Sequence, residues 1–258
     1  MEDLVSIIMP SYNTSNFIAE SIESVIDQTY KKWELIIIDD CSTDDTDDVV
    51  LPYLNDERIL YLKNPQNSGP AISRNRALRR AKGKWIAFLD SDDIWKPDKL
   101  EKQIDFMKKN GYHFSYTNYA EIDMDGKING IHVTGPKRIT KNGFFNYCWP
   151  GCLTVMYDNE YIGIVQIVDI KKNNDYAMWL KVCQKANCYL LDEELAFYRR
   201  GRIGSVSTNS IKTMIRWHFL LFREAEGQST TKALFNTFRN IVFGMTKKIF
   251  YCKKEKRI

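Results

Sequence analysis

Three carboxylates stand within four residues at Asp90-Ser91-Asp92-Asp93, directly after the apolar run Trp85–Leu89. Asp90 and Asp92 lie two positions apart, so at a turn both can converge on one hard cation. Mg2+ and Mn2+ prefer oxygen ligands, and Mg2+ is commonly held by one or two carboxylates while substrate phosphates complete its shell. A cation there would offset the charge of a departing diphosphate. Three letters recur by chance; placement at a strand end gives the motif its weight. A second acidic pair, Asp39-Asp40, closes the run Glu34–Ile38, and Ser11-Tyr12-Asn13 follows Leu4–Met9 and Pro10. Asn67-Ser68-Gly69-Pro70 leads into Ala71-Ile72-Ser73-Arg74-Asn75. Gly69 permits close backbone approach to a ligand. Arg74 reads either as a ligand for phosphate or base or as an exposed helix arginine. Asp175, in Asn173-Asn174-Asp175-Tyr176, also has two readings. One is a helix N-cap. The other is a base, kept ionised by the helix dipole and ready to take a proton from a hydroxyl. Met178-Trp179-Leu180 reads as core.

The elements that must position these groups alternate. Leu4–Met9, Glu34–Ile38, Ile59–Leu62 and Trp85–Leu89 suit strands buried on both faces. Between them, Ile18, Ile22, Val25 and Ile26 share one helical face, with Ser15 or Asn16 as the start signal. Ser42–Asp48 opens a second helix with acids in its first turn. Pro70–Ala81 forms a third, with Gly83 past its end. Leu100, Ile104 and Met107 mark a fourth after Pro97. Alternation of this kind implies an α/β fold with a parallel sheet, whose ligands bind outside the carboxyl ends of the strands. Three strand ends therefore aim polar groups at one crevice. Beyond residue 110 the pattern loosens. Tyr112–Thr117 and Ala186–Leu191 are expected as strands, Met124-Asp125-Gly126-Lys127 as a hairpin turn, and Ile211–Glu226 and Thr230–Phe250 as helices. No G-x-G-x-x-G follows the first strand and no G-x-x-x-x-G-K-[ST] is present, which disfavours dinucleotide-binding and P-loop readings.

A chain of 258 residues suits one domain with an elaborated C-terminal region. The net charge of +4 is uneven: from Arg239 to Ile258 there are seven basic residues and one acid, Glu255. That excess points to an anionic partner, and without a nucleic-acid recognition motif a lipid surface is the better candidate. Leu234, Phe238, Ile241, Met245 and Ile249 recur at helical spacing, widened by Phe235 and Val242 and flanked by Lys232, Arg239, Lys247 and Lys248. The expected helix lies in an anionic membrane interface rather than crossing it. The competing reading packs this stripe on the rest of the protein. None of the six cysteines forms a Cys-x-x-Cys pair, and neither a secretory signal nor a run of about 18 apolar residues is visible. The expectation is a cytoplasmic protein with reduced thiols, peripheral on the inner face of the membrane.

Ordered together, these segments resemble the family 2 glycosyltransferases. The stretches that carry the likeness are Val5–Asn13 (VSIIMPSYN), Ser24–Tyr30, Glu34–Asp44 (ELIIIDDCSTD), Asn67–Asn75 and Gly83–Asp93. They are dense over residues 4–110 and thin out to about 207. The resemblance implies a GT-A fold, an α/β architecture with a Rossmann-like nucleotide-binding sheet, a mixed acceptor-side extension and C-terminal helices. It divides the chain into a nucleotide-sugar half (1–110), an acceptor half (111–208) and a basic helical region (209–258). It implies inverting transfer from a nucleoside diphosphate sugar, expected to be a UDP-sugar, to a saccharide hydroxyl in capsule, O-antigen or cell-wall polysaccharide synthesis. The acceptor is expected on a lipid carrier, and the metal is Mn2+ or Mg2+. By the same resemblance Pro10, Tyr12 and Asn13 line the nucleotide pocket. Asp40 binds the base, with Asn67, Gly69 and Arg74 nearby; Asp90 and Ser91 lie at the ribose, and Asp92 holds the metal. Asp175 matches the aspartate of the family's Glu-Asp motif, its catalytic base, whereas Asn174 replaces the usual glutamate and alters acceptor contacts. Tyr198–Ser207 resembles a late loop that often carries a histidine; here none is present, and Arg200 or Arg202 is expected at the diphosphate. Trp149 and Trp179 read as sugar-stacking platforms or, more readily for Trp179, as core. A sugar nucleotidyltransferase would need a Gly-rich basic N-terminal loop that is missing, and an intact Asp175 argues against a non-catalytic binding protein.

Overall fold

The computed structural model describes residues 3–170, 172–201 and 211–254. Its first half alternates as β1 (Val5–Ser11), α1 (Ile18–Ile26), β2 (Trp33–Asp39), α2 (Thr46–Val50), β3 (Ile59–Lys63), α3 (Pro70–Leu78), β4 (Trp85–Phe88), β5 (Ile94–Trp95) and α4 (Lys99–Asn110). Strands β3, β2, β1 and β4 lie side by side in that order, all parallel. All seven residues of β1 are buried. Their period of two sends Val5, Ile7 and Met9 into one core with α1 and α4, and Ile8 into the other with Ala71, Ala77 and Leu78 of α3. The chain reverses its direction of winding between β1 and β4, so the crevice outside their carboxyl ends is where a ligand is expected.

One early element differs from expectation. The helix foreseen from Ser42 begins only at Thr46, and a 3-10 turn continues it over Leu51–Asn55. Cys41 sits at φ 65°, which a helix cannot tolerate. Asp39 accepts from the Ser42 amide and Asp44 from those of Ser15 and Thr46. These side chains occupy backbone amides before a helix can form. Likewise α1 starts at Ile18, with Phe17 at the N-cap position and no side-chain cap from Ser15 or Asn16.

The second half contains β6 (Phe114–Ile122), β7 (Ile128–Val133), β8 (Arg138–Ile139), α5 (Lys141–Asn146), β9 (Met156–Asp158), α6 (Asn159–Ile162), α7 (Asn174–Val182) and β10 (Cys188–Arg199). Short β9 enters antiparallel between β4 and β6 and fuses the two halves into one mixed sheet. The turn at 123–127 closes the β6–β7 hairpin as expected. Strand β10 runs parallel to β6 and antiparallel to β5 and β8. It is far longer than the Ala186–Leu191 run suggests. Asp192, Glu193 and Glu194 interrupt the apolar pattern where the register with β6 also shifts. Trp179 on α7 is wholly buried and meets Phe88 edge-on at 5.0 Å, so its reading as a sugar platform is corrected to core.

The last elements are α8 (Ile211–Leu220), a π turn over Leu221–Ala225, α9 (Thr230–Phe250) and β11 (Cys252–Lys254), which pairs antiparallel with β7. Ser229 caps α9 by accepting from the Lys232 amide. Small and polar residues, among them Ala233, Asn236, Thr237 and Asn240, face inward. A Cβ on Gly244 would lie 2.9 Å from the Tyr147 ring, so glycine sets how closely this helix approaches the domain. The apolar stripe faces away from the domain. Among the described residues no helix is long and apolar enough to cross a membrane. All six cysteines are free.

Replacing Trp179 by alanine removes the centre of the α3/α7 core. The expected loss is about 3–5 kcal/mol of unfolding free energy, read from urea denaturation of the full chain.

Candidate active site

The acidic turn after β4 is held from behind. Arg199, the last residue of β10, is 4% exposed and donates its amide to Asp93 Oδ1 at 2.9 Å. Its guanidinium reaches the Asp92 carbonyl, the Asp123 and Met124 carbonyls of the β6–β7 turn, and Glu20 of α1. One side chain thus ties four segments together around Asp92 and Asp93. Burial, then the charges of Asp92 and Asp90, push the Asp93 carboxyl well above the usual carboxylate range. Sequence reasoning passed over Arg199 in favour of Arg200 and Arg202. Its signal was an arginine on the last position of a buried strand, legible only once that strand's length is known.

A second arginine faces the crevice. Arg74, on α3, is 6% exposed; its Nη2 meets Asp90 Oδ1 at 2.5 Å and its Nη1 donates to Asn174 Oδ1 at 3.3 Å. The exposed-arginine reading is therefore excluded. Asp175 follows on the first turn of α7, where the N-cap is Asn173 in a left-handed conformation. Asp175 is thus not the cap, and its half-buried carboxyl lies within the field of Arg74 and Asp90. Burial raises its pKa; Arg74 opposes this and Asp90 adds to it. Asp90, Arg74, Asn174 and Asp175 form one cluster from β4, α3 and α7.

The side of the crevice expected to take the nucleotide is built from loops stapled to one another. Asn13, at φ 51°, donates its amide to Ser42 Oγ and accepts from the Thr43 amide, joining the ends of β1 and β2. Tyr12 beside it is 42% exposed, while Pro10 is buried within β1. Asp40, expected at the base, is 3% exposed. It accepts from Asn64 Nδ2 and the Ser68 amide on one oxygen and from the Gly69 amide on the other. Its direct task is to order the loop that carries exposed Asn67 and leads into α3. Gly69 enters that helix at φ 87°, a conformation that favours glycine.

Three other expectations change, and a fourth is left untested. Ser91 is 3% exposed, leaving Asp90 and Asp92 as the half-buried members of the turn. Trp149 is 5% exposed; it packs against Tyr147, Phe243 and Tyr251 and donates its indole N–H to the Gly143 carbonyl. It joins α9 to the domain instead of offering a face to a sugar. Arg200 is engaged twice by buried Glu121, at 3.0 and 2.8 Å, so reaching a diphosphate means giving up that pair. Arg202 lies outside the described residues.

The donor set at the acidic turn suits a hard dication. Asp90 and Asp92 offer half-buried carboxylate oxygens, the donor type such a cation prefers. No group of three acid, histidine or cysteine side chains converges as a ready-made cage among the described residues. A cation at Asp92 would thus draw its remaining ligands from the substrate's phosphates.

The profile of glycosyl transferase family 2 matches residues 6–151. The chain belongs to this family. The family 2 chain is 42% identical over 232 residues to the putative teichuronic acid biosynthesis glycosyltransferase TuaG of Bacillus subtilis, covering 89% of this chain and 91% of that protein. It is 40% identical over 260 residues, the full length of both, to WfgD of Escherichia coli, a UDP-Glc:α-D-GlcNAc-diphosphoundecaprenol β-1,3-glucosyltransferase. Among solved structures it superposes on S. aureus TarS in complex with UDP-GlcNAc with a TM-score of 0.71 at 19% identity, covering 95% of this chain and 74% of that one. It also superposes on a Pyrobaculum calidifontis mannosyltransferase in complex with GDP-Man and Mn2+ with a TM-score of 0.63 at 16% identity, covering 95% and 76%. The architecture is that of the GT-A glycosyltransferases, and this family 2 enzyme is a glycosyltransferase.

Because Arg74 lowers the pKa of Asp175, Arg74→Met removes the group that opposes the effect of burial. A base works only when ionised, so with Asp175 in the expected role of base the acidic limb of the kcat/KM profile is expected to move to higher pH. A profile displaced in rate alone would show that Arg74 does not act on Asp175.

Proposed function

We propose that this enzyme transfers a hexose from a UDP-sugar, with inversion, to a hydroxyl of a saccharide carried on a lipid diphosphate in bacterial surface-polysaccharide synthesis. In this reading it works peripherally, at the inner face of an anionic cell membrane. The observation that carries it is the Arg74 cluster, which brings the acidic turn beside a carboxylate on the acceptor side. The relatives' printed substrates support the donor and the acceptor. We assign donor recognition to residues 1–110 and acceptor recognition to 111–208, with 209–258 as a separate helical region.

Asp175 takes the proton from the acceptor hydroxyl as that oxygen attacks the anomeric carbon from the face opposite the diphosphate. A single displacement turns an α-linked donor into a β-glycoside. Arg74 keeps the neighbouring carboxylates compatible and holds Asn174, which stands where the family's glutamate would. Asn13, Asp40 and the loop 64–69 shape the nucleotide side. Asp92, with Asp90 beside it, would hold Mn2+ or Mg2+. Such a cation supplies charge stabilisation for the leaving diphosphate.

The test is incubation with a panel of UDP-hexoses and a short-chain GlcNAc-diphosphate lipid. A β-linked product is expected, recognised by its anomeric proton coupling; an α-linked product overturns the inverting assignment. Asp175→Asn is expected to lower transfer by about a hundred- to ten-thousandfold while UDP still binds. Calorimetry on Asp92→Asn is expected to lose the Mn2+-dependent part of UDP affinity. Equal wild-type affinity with and without Mn2+ removes the metal from Asp92.

A further inference from the structure

Helix α9 is amphipathic in the reverse of the usual sense. Its inner face is polar and tied to the domain: Asn236 donates to Gln228, Asn240 to the Tyr176 hydroxyl and Lys247 to the Trp149 carbonyl. Arg239 is bound by Asn146 on α5. Its outer face carries Leu234, Phe235, Phe238, Met245, Ile249 and Phe250, each between 56% and 71% exposed. Helix α8 packs beside it and adds exposed Met214 and Ile215. A surface helix ordinarily buries its apolar stripe. Here the domain is satisfied by the polar side, and the apolar side is left for another partner.

Charge identifies that partner. Lys232 and Lys248 border the apolar face of α9, Lys212 and Arg216 stand exposed on α8, and Lys253 and Lys254 follow on β11. Arg239 and Lys247, expected among the flanking cations, are turned inward instead. A twofold contact between two copies would set this basic border against itself. An anionic bilayer complements the apolar face and the border at once.

We propose that the α8–α9 pair is a membrane-docking platform that seats its outward apolar face in the headgroup region of an anionic bilayer. This rests on the reading of a lipid-linked acceptor and adds to it the surface and the orientation. The Lys247–Trp149 and Arg239–Asn146 contacts fix the platform to the acceptor half. Docking therefore sets that half at the lipid surface, where a carrier-bound sugar emerges.

The experiment is co-sedimentation of the full chain with phosphatidylcholine vesicles with and without phosphatidylglycerol, beside transfer to a soluble short-chain acceptor and to the same headgroup embedded in vesicles. The wild type is expected to bind the anionic vesicles and to be released by salt. Phe235→Glu with Phe238→Glu is expected to weaken binding by about tenfold or more, and Lys248→Glu by about fivefold or more. Both variants should keep wild-type circular dichroism and soluble-acceptor turnover while losing transfer to embedded acceptor. Wild-type protein that stays in the supernatant at low salt, or a Phe235/Phe238 variant that binds undiminished, overturns the proposal. A dimer in solution that the same two substitutions dissociate overturns it in favour of a second copy. Failure of the transferase reading is distinct, because it appears as no transfer to the soluble acceptor.

Discussion

A guanidinium buried to 6% exposure must be matched by anions or acceptors, and Arg74 is so matched by segments that lie far apart in the chain. Its partner on one side ends β4; on the other, Asn174 and the nearby Asp175 open α7. Asp90 supplies the counter-charge from the first half of the chain, and Asn174 adds a neutral acceptor from the second. A shift of α7 away from α3 would leave that ion pair in place but strand the Nη1 donor of a buried guanidinium. The two halves of the chain are held in register by this buried hydrogen bond as well as by the insertion of β9.

The acidic turn shows the complementary problem. Three carboxylates crowd into four residues, and the surrounding structure compensates unevenly. Asp90 has Arg74, and Asp93 has the Arg199 amide together with a carboxyl that resists ionisation. Arg199 stiffens the turn through carbonyls and Glu20 without cancelling all of its charge. In the proposed reaction a cation and a diphosphate would arrive together at such a turn, each bringing charge of the sign that the other lacks.

Legibility in the sequence followed burial. The four parallel strands and the helices α1, α3 and α4 announced themselves because one periodicity decides each of them, and Thr230–Phe250 was recovered to the residue. What escaped depended on distant partners. Strand β9 has only three residues and is defined by β4 and β6. Strand β10 carries acids in its middle. Trp149 is committed to packing α9, which no local pattern reveals. The candidate site was legible as a set of positions at strand ends. The division of labour inside it was not, because whether an aspartate meets a ligand or a backbone amide depends on loops such as 64–69 that periodicity does not describe.

Strand β11 lies against β7 at one margin of the sheet, and β3 closes the other. A margin is an unfinished ladder of amides and carbonyls, and proteins commonly discourage its extension with lysines. β11 brings Lys253 and Lys254 to one margin and β3 ends in Lys63 at the other. The segment that follows α9 thus also guards the sheet against templated growth by neighbouring chains. That protection matters most where enzyme molecules are concentrated in two dimensions, with their margins facing one another across a crowded plane.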